Sequence, residues 1–141
     1  GDQSFDTSVV INANSLISWS PVTEKHVGQL FTLKQACTAT MMMSDNTAAN
    51  IVLAGINGPR ALTQFMRSIG DEVTRLDRIE PDLNEALDGD ERDTTTPNAM
   101  VMSLNKLLFK PPQSPLSAEQ TSSKTILFEF LEIFLPNLKL L

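Results

Sequence analysis

The alternation of apolar and polar residues divides the first part of the chain into short helical runs separated by polar turns. Residues 36–43 and 47–54 are apolar enough for two buried helices. Thr32 is followed three residues later by Gln35, and this capping-box spacing predicts the start of the first helix. Residues 1–20 hold one short apolar run, at positions 9–11, and are predicted to be extended or irregular.

A third helix is predicted to begin at Pro59, because proline suits the first position of a helix, and to end at Gly70. A fourth helix is predicted to begin with Thr96 as its N-cap and Pro97 as its first residue. The predicted apolar face of this fourth helix consists of Met100, Val101, Leu104, Leu107 and Leu108.

An acidic segment, residues 71–93, separates the last two helices. It carries ten acidic residues and three arginines, and Pro81 and Gly89 interrupt any helix within it. A loop of this length without secondary structure is uncommon in a compact domain and is often functional.

Composition narrows the function classes. The 141 residues suffice for one compact domain or part of a larger one, and 41% are hydrophobic. A net charge of -6 argues against nucleic acid or an anionic membrane as the main partner. Cys37 is the only cysteine, which excludes an internal disulfide and a cysteine-based zinc site. With no acidic or cysteine cluster at ligand spacing, the lone His26 is interpreted as structural rather than as a metal ligand.

Three polar motifs lie between the predicted helices, at residues 44–46 (Ser-Asp-Asn), 78–84 (Arg-Ile-Glu-Pro-Asp-Leu-Asn) and 92–97 (Arg-Asp-Thr-Thr-Thr-Pro). Taken singly, they indicate a turn, a solvated glutamate and a helix start. In this order and spacing the sequence resembles the class A serine β-lactamases, whose signature includes S-D-N and a loop glutamate. The resemblance covers about residues 1–109 and is closest to the carbenicillin-hydrolysing branch.

The resemblance implies an α+β serine β-lactamase/D,D-peptidase-like fold. This chain would supply mainly the all-helical lobe and the Ω-loop, and would be predominantly α. Residues 1–109 would form a partial domain, with the Ω-loop at about 75–93. Residues 110–141 depart from the family, as a shifted reading frame would cause, and are expected to be a divergent tail.

The nucleophile motif S-x-x-K and the K-T-G motif of the family are not found at their proper places. Ser103 and Lys106 satisfy the S-x-x-K pattern, but they lie on the helix after the Ω-loop and are interpreted as a chance match. Cys37 matches one half of a disulfide found in part of the family, whose partner follows the nucleophile motif. The chain is therefore expected to be an internal piece that lacks the nucleophile.

By resemblance, the activity is β-lactam hydrolysis through a serine acyl-enzyme, and three residues are assigned catalytic roles. Glu80 matches the carboxylate that activates the deacylating water, and Asn84 the amide that helps hold that water. Residues four apart share a helical face, so both side chains can reach one water. The Glu80–Pro81 bond is expected to be cis. Ser44 matches the hydroxyl that passes a proton to the leaving nitrogen.

Other residues are assigned binding or structural roles by the same resemblance. Asn46 matches the amide that binds the side-chain amide of the substrate. Trp19 is either a wall of the cleft or a partly buried core residue. Asp45 is expected to be structural, its carboxylate accepting backbone N–H bonds.

The neck of the Ω-loop is expected to be closed by an ion pair between Arg78 and Asp93, with Arg75 part of the same neck. The alternative for this pair is an exposed surface contact of little energetic weight.

The resemblance further implies no cofactor and no metal, and a small-molecule β-lactam as the partner, with penicillins first and cephalosporins second. It implies no nucleic-acid or membrane partner, a monomeric parent, and a periplasmic or secreted bacterial location. Two alternatives stay open: a penicillin-binding D,D-peptidase, against which Glu80 and Asn84 argue, and a non-catalytic helical fragment.

Overall fold

A computed structural model describes residues 7–109 of the chain. Strands β1 (Ser8–Val10) and β2 (Leu30–Thr32) pair antiparallel, with Val9 opposite Phe31. The expected divergent tail, residues 110–141, lies outside the described part. The helices are α1 (Leu33–Met43), α2 (Asn46–Gly55), α3 (Pro59–Ser68) and α4 (Pro97–Phe109), with short 3-10 helices at Ala13–Ser15, Thr23–His26 and Asp82–Asn84.

The capping box predicted for α1 is confirmed. The hydroxyl of Thr32 accepts the N–H of Gln35 at 3.1 Å, and the side-chain oxygen of Gln35 accepts the N–H of Thr32 at 2.8 Å. Two donors that the helix leaves without an internal partner are thereby satisfied. The helix begins at Leu33, three residues before the predicted apolar run, because the cap rather than the first apolar cluster sets its start.

Helices α1 and α2 form the centre of the packing. Small residues at their contact, Ala36 and Ala48, are fully buried and allow the two backbones to approach closely. Buried apolar side chains from β2, from both helices and from the residues that follow β1 and α2 surround this contact: Ile11, Phe31, Leu33, Cys37, Leu53 and Ile56. The two helices thus share a core with the small sheet.

The predicted bounds of α3 are close to those observed. Pro59 is its first residue, and Gly70 adopts the left-handed conformation (φ 80°) two residues beyond Ser68. A second apolar cluster joins α3 to α4: Phe65, Met66, Ile69 and Leu107. This cluster places the start of the acidic segment beside α4.

The prediction of which residues form the apolar face of α4 is largely wrong. Met100, Val101 and Leu104 are exposed, and the buried residues are Ala99, Ser103 and Leu107, one helical turn apart. A polar contact sets which face of α4 is buried. The hydroxyl of Ser103 donates to the buried carboxylate of Asp71 at 2.6 Å, and this bond turns the serine inward. The side chain of Leu108 lies outside what the structure describes. Within residues 7–109 no helix has both the length and the apolarity needed to cross a membrane.

The buried carboxylate of Asp45 connects the residues before β2 to α2. It accepts the N–H groups of Val22, Thr23 and Ala48, each at 2.9 Å, and the hydroxyl of Thr23. The structural role predicted for Asp45 is confirmed. Burial raises the pKa of Asp45, but these hydrogen bonds outweigh burial and hold the pKa below its usual value.

We expect Asp45→Ala to lower the free energy of unfolding by about 3 kcal/mol, because it leaves several buried N–H groups without an acceptor. Urea unfolding of the 141-residue chain measures the effect. Asp88→Ala, at an exposed position, is the matched control and should change stability by less than about 0.5 kcal/mol. Equal midpoints for the two variants would contradict this role of Asp45.

Candidate functional site

The junction of α1 and α2 brings together three of the predicted site residues. Ser44 ends α1 in the left-handed region (φ 53°) and is exposed. Asn46 begins α2, and its side-chain amide donates to the carbonyl of Ser18 at 2.9 Å while its N–H donates to the carbonyl of Trp19 at 3.0 Å. The indole N–H of Trp19 donates to the carbonyl of Met43, which precedes Ser44, at 3.1 Å.

Trp19 is 65% exposed, so its ring is not part of the core that residues 7–109 form. Its backbone adopts a positive φ of 61°, which is uncommon for a bulky residue. The two hydrogen bonds that tie it to Asn46 and Met43 hold it in this conformation. An exposed aromatic ring is therefore fixed beside the junction.

Glu80 and Asn84 form a second group, in the loop of residues 75–93, which we call the acidic loop. The side-chain amide of Asn84 donates to a carboxylate oxygen of Glu80 and, at 3.1 Å, to the carbonyl of Pro81. The short 3-10 helix Asp82–Asn84 produces the turn that brings the two side chains together. The Glu80–Pro81 peptide bond is cis, as expected. A carboxylate beside an amide can hold a water and remove a proton from it.

Asn50 of α2 connects the two groups. Its side-chain amide donates to the carbonyl of Glu80, and its side-chain oxygen accepts the N–H of Glu80, each at 2.9 Å. Because Asn46 and Asn50 are four residues apart, they lie on one face of α2. The start of α2, which Ser44 precedes by two residues, thus lies one helical turn from the position at which α2 binds the Glu80 backbone.

Sequence reasoning assigned no role to Asn50. The signal was an asparagine in the middle of an apolar helix, between alanines and the pair Ile51 and Val52. Asparagine is a poor helix former because its side chain competes for nearby backbone groups. A partner outside the helix is the natural reason for its presence there.

The acidic loop is closed at its neck by Asp93. The guanidinium of Arg78 donates to one oxygen of Asp93, and the other oxygen accepts the N–H groups of Asp77 and Arg78 at 2.7 and 2.9 Å. The side chains of Arg78 and Asp93 are 12% and 3% exposed. The pair is therefore largely buried, unlike a solvated surface contact.

Arg75 contributes to the neck through its backbone. Its N–H donates to the carbonyl of Thr94 at 3.0 Å, which joins the two ends of the loop. Its side chain pairs with Asp77, not with Asp93, at 2.7 and 2.8 Å. The hydrogen bond from the Arg75 guanidinium lowers the pKa of Asp77.

Other polar residues have structural partners. A ring nitrogen of His26 lies 3.0 Å from the side-chain oxygen of Gln29, and its ring packs near Phe31 with centroids 5.1 Å apart. Ser103 is 1% exposed. Among residues 7–109 no group of three His, Cys, Asp or Glu side chains is arranged to hold a metal ion.

We expect Asn50→Ala to accelerate hydrogen exchange of the Glu80 amide at least about tenfold, because that N–H loses its acceptor. Exchange is followed residue by residue in the 141-residue chain. Asn98→Ala, at an exposed position of α4, is the control and should leave the Glu80 rate unchanged. Equal Glu80 exchange in the two variants would show that Asn50 does not hold the loop.

The neck of the acidic loop should open in acid. Burial raises the pKa of Asp93, but N–H bonds from Asp77 and Arg78 and the Arg78 guanidinium lower it below the usual value. The stabilisation is therefore complete above the unfolded-state pKa of about 3.9 and is lost as the pH falls through the lower folded pKa.

We expect cleavage of the acidic loop by an acid-active protease to increase as the pH falls from about 5 to about 2. In Asp93→Asn, cleavage should already be fast at pH about 5 and should change little below it. Asp88→Asn should keep the parent profile. A pH profile in Asp93→Asn that matches the parent would exclude Asp93 as the titrating group.

Comparison with known proteins shows the family of the chain. A sequence model of the β-lactamase enzyme family matches residues 1–126. The chain is 54% identical over 118 residues to the β-lactamase CARB-3 of Pseudomonas aeruginosa, and 53% identical over 118 residues to PSE-4 of the same organism. Each match covers 84% of this chain and 41% of the relative, so the chain spans less than half the length of these curated relatives.

Solved structures agree. The chromosome-encoded β-lactamase of Vibrio parahaemolyticus is 49% identical with a TM-score of 0.74, over 87% of this chain and 46% of that one. An ancestral class A β-lactamase is 50% identical with a TM-score of 0.77, over 92% of this chain and 49% of that one. These matches confirm the predicted family and the predominantly helical part of its fold. The chain therefore belongs to the β-lactamase enzyme family, among its class A members.

Proposed function

We propose that the whole protein hydrolyses β-lactam antibiotics through a serine acyl-enzyme, and that Glu80 is the general base of deacylation. The observation that carries this proposal is the contact between Asn84 and the Glu80 carboxylate. The loop that holds both residues is bound to α2, because the side chain of Asn50 bonds the backbone of Glu80. In this interpretation the acidic loop is the Ω-loop of the enzyme.

In deacylation, a water held between Glu80 and Asn84 loses a proton to the Glu80 carboxylate as its oxygen attacks the acyl carbonyl. The ester bond to the serine then breaks, and the proton returns to the serine oxygen. In the preceding acylation, the exposed hydroxyl of Ser44 passes a proton to the leaving ring nitrogen.

Substrate binding is proposed for Asn46 and Trp19. The side-chain NH2 of Asn46 donates one of its two N–H groups to the carbonyl of Ser18, and the side-chain amide can bond an amide group of the substrate. The exposed ring of Trp19 offers an apolar wall next to it. The proposed substrates are penicillins, with cephalosporins second, and the proposed site of action is the bacterial periplasm or the secreted fraction, where hydrolysis confers resistance.

A D,D-peptidase is the less favoured alternative, because the paired Glu80 and Asn84 supply the deacylating base that such an enzyme typically lacks. The non-catalytic alternative applies to the 141 residues themselves. Ser103 is buried and bonded to Asp71, which argues against its use as a nucleophile. The neck residues Arg78, Asp93 and Arg75 are proposed to hold the loop and take no part in the chemistry.

A chimera tests the proposal. Residues 1–109 replace the matching segment of the CARB-3 enzyme, which is 54% identical over its aligned region, and the product should hydrolyse a chromogenic cephalosporin. Glu80→Gln in the chimera should lower turnover by about 10²–10⁴-fold and should accumulate acyl-enzyme detectable by mass spectrometry. Asp88→Asn in the same loop is the control and should turn over normally.

Two outcomes would overturn the proposal: a folded chimera without turnover, or a Glu80→Gln variant that loses turnover without accumulating acyl-enzyme. The 141-residue chain assayed alone should show no turnover. Turnover that survives Ser103→Ala but not Glu80→Ala would show that a nucleophile is present in this chain after all.

A further inference from the structure

A second buried carboxylate, that of Asp71, lies at the start of the acidic segment. It accepts the hydroxyls of Ser103 and Thr74, each at 2.6 Å, and the N–H groups of Thr74 and Val73 at 2.8 and 3.0 Å. Asp71 is 6% and Ser103 1% exposed. One carboxylate thus connects α4 to the residues that lead into the acidic loop.

The contact continues from Thr74 to the other end of the loop. The hydroxyl of Thr74 lies 2.7 Å from the hydroxyl of Thr95, and the guanidinium of Arg67 on α3 donates to the carbonyls of Asp71 and Thr74. Helices α3 and α4 and both ends of the loop therefore converge on the same few side chains.

From Thr74 the backbone is held at each following residue up to Arg78. The N–H of Arg75 donates to the carbonyl of Thr94. The hydroxyl of Thr63 donates to the carbonyl of Leu76 and accepts its N–H, each at 2.9 Å. Asp93 accepts the N–H groups of Asp77 and Arg78. One residue, Ile79, separates this fixed stretch from Glu80. The segment from Thr74 to Arg78 is therefore fixed at every residue and leads directly to Glu80.

We propose that Ser103, Asp71 and Thr74 form a positioning relay for Glu80. Asn50 holds the Glu80 backbone from α2, and the relay fixes the base of the loop from α4. The burial of the polar Ser103 on α4, at 1% exposure and bonded to Asp71, fits this role. The part of the inference that concerns catalysis rests on the proposed function.

The test compares variants that remove a hydroxyl with variants that keep it. Ser103→Ala removes the donor, and Ser103→Thr keeps it. A cavity of about 200 Å³ lined by Asp71, Ser103 and Met102 gives the added methyl room. Thr74→Val and Thr74→Ser form a second pair with the same logic, for use if either Ser103 variant fails to fold.

The first measurement is hydrogen exchange of the Glu80 amide in the 141-residue chain. Ser103→Ala and Thr74→Val should exchange roughly tenfold faster, as expected for the loss of one buried hydrogen bond. Ser103→Thr and Thr74→Ser should restore the parent rate, and amides of α1 should be unaffected in all four variants. Unchanged Glu80 exchange in both removal variants would overturn the relay.

The second measurement uses the CARB-3 chimera, in which acylation and deacylation are separated by mass spectrometry of the acyl-enzyme. The removal variants should slow deacylation roughly tenfold and leave acylation unchanged, and the conservative variants should restore it. Equal losses in both steps would overturn the positioning role. If the parent chimera shows no turnover, the proposed function fails, and exchange at Glu80 alone then decides the relay.

Discussion

The buried carboxylate of Asp45 is the interaction on which the rest of the structure depends. It binds the residues before β2 to the start of α2, and the candidate site is built around it. Ser44 precedes it and Asn46 follows it. Asn50 lies one turn further along the same helix and carries Glu80. The positions of all four functional groups therefore depend on how firmly one carboxylate fixes the start of α2.

The same arrangement recurs among residues 7–109. Asp71 and Asp93 each accept two backbone N–H groups, before the acidic loop and at its exit. Asp71 also accepts two hydroxyls, and Asp93 accepts the guanidinium of Arg78. Hydrogen bonds lower the pKa of both carboxyl groups despite the opposing effect of burial. In a loop without strands, such carboxylates take the place of regular backbone pairing, because buried N–H groups need an acceptor from some source.

Features that depend on neighbouring residues were predictable from the sequence, and features that depend on contacts between distant residues were not. The capping box at Thr32, the start of α3 at Pro59 and the short turn at Glu80 depend on neighbouring residues, and the structure agrees with each. The buried face of α4 depends on Asp71, which lies 32 residues from Ser103, and hydrophobicity alone selected the wrong side. Asn50 was missed for the same reason, since its partner is 30 residues away.

The acidic loop tolerates many charged residues because most of them do not hold its backbone in place. Its anchors are buried or half-buried side chains that bond backbone groups, whereas acidic residues such as Asp88 and Glu91 face solvent. Exposed charges contribute little to stability, so the position of Glu80 depends on a few anchors. Those anchors act at Glu80 and before it: Asn50 binds the residue itself, and Asp93 and Asp71 hold the backbone that leads to it. A general base on an irregular loop can be placed accurately only when such contacts replace the rigidity of a helix or a strand.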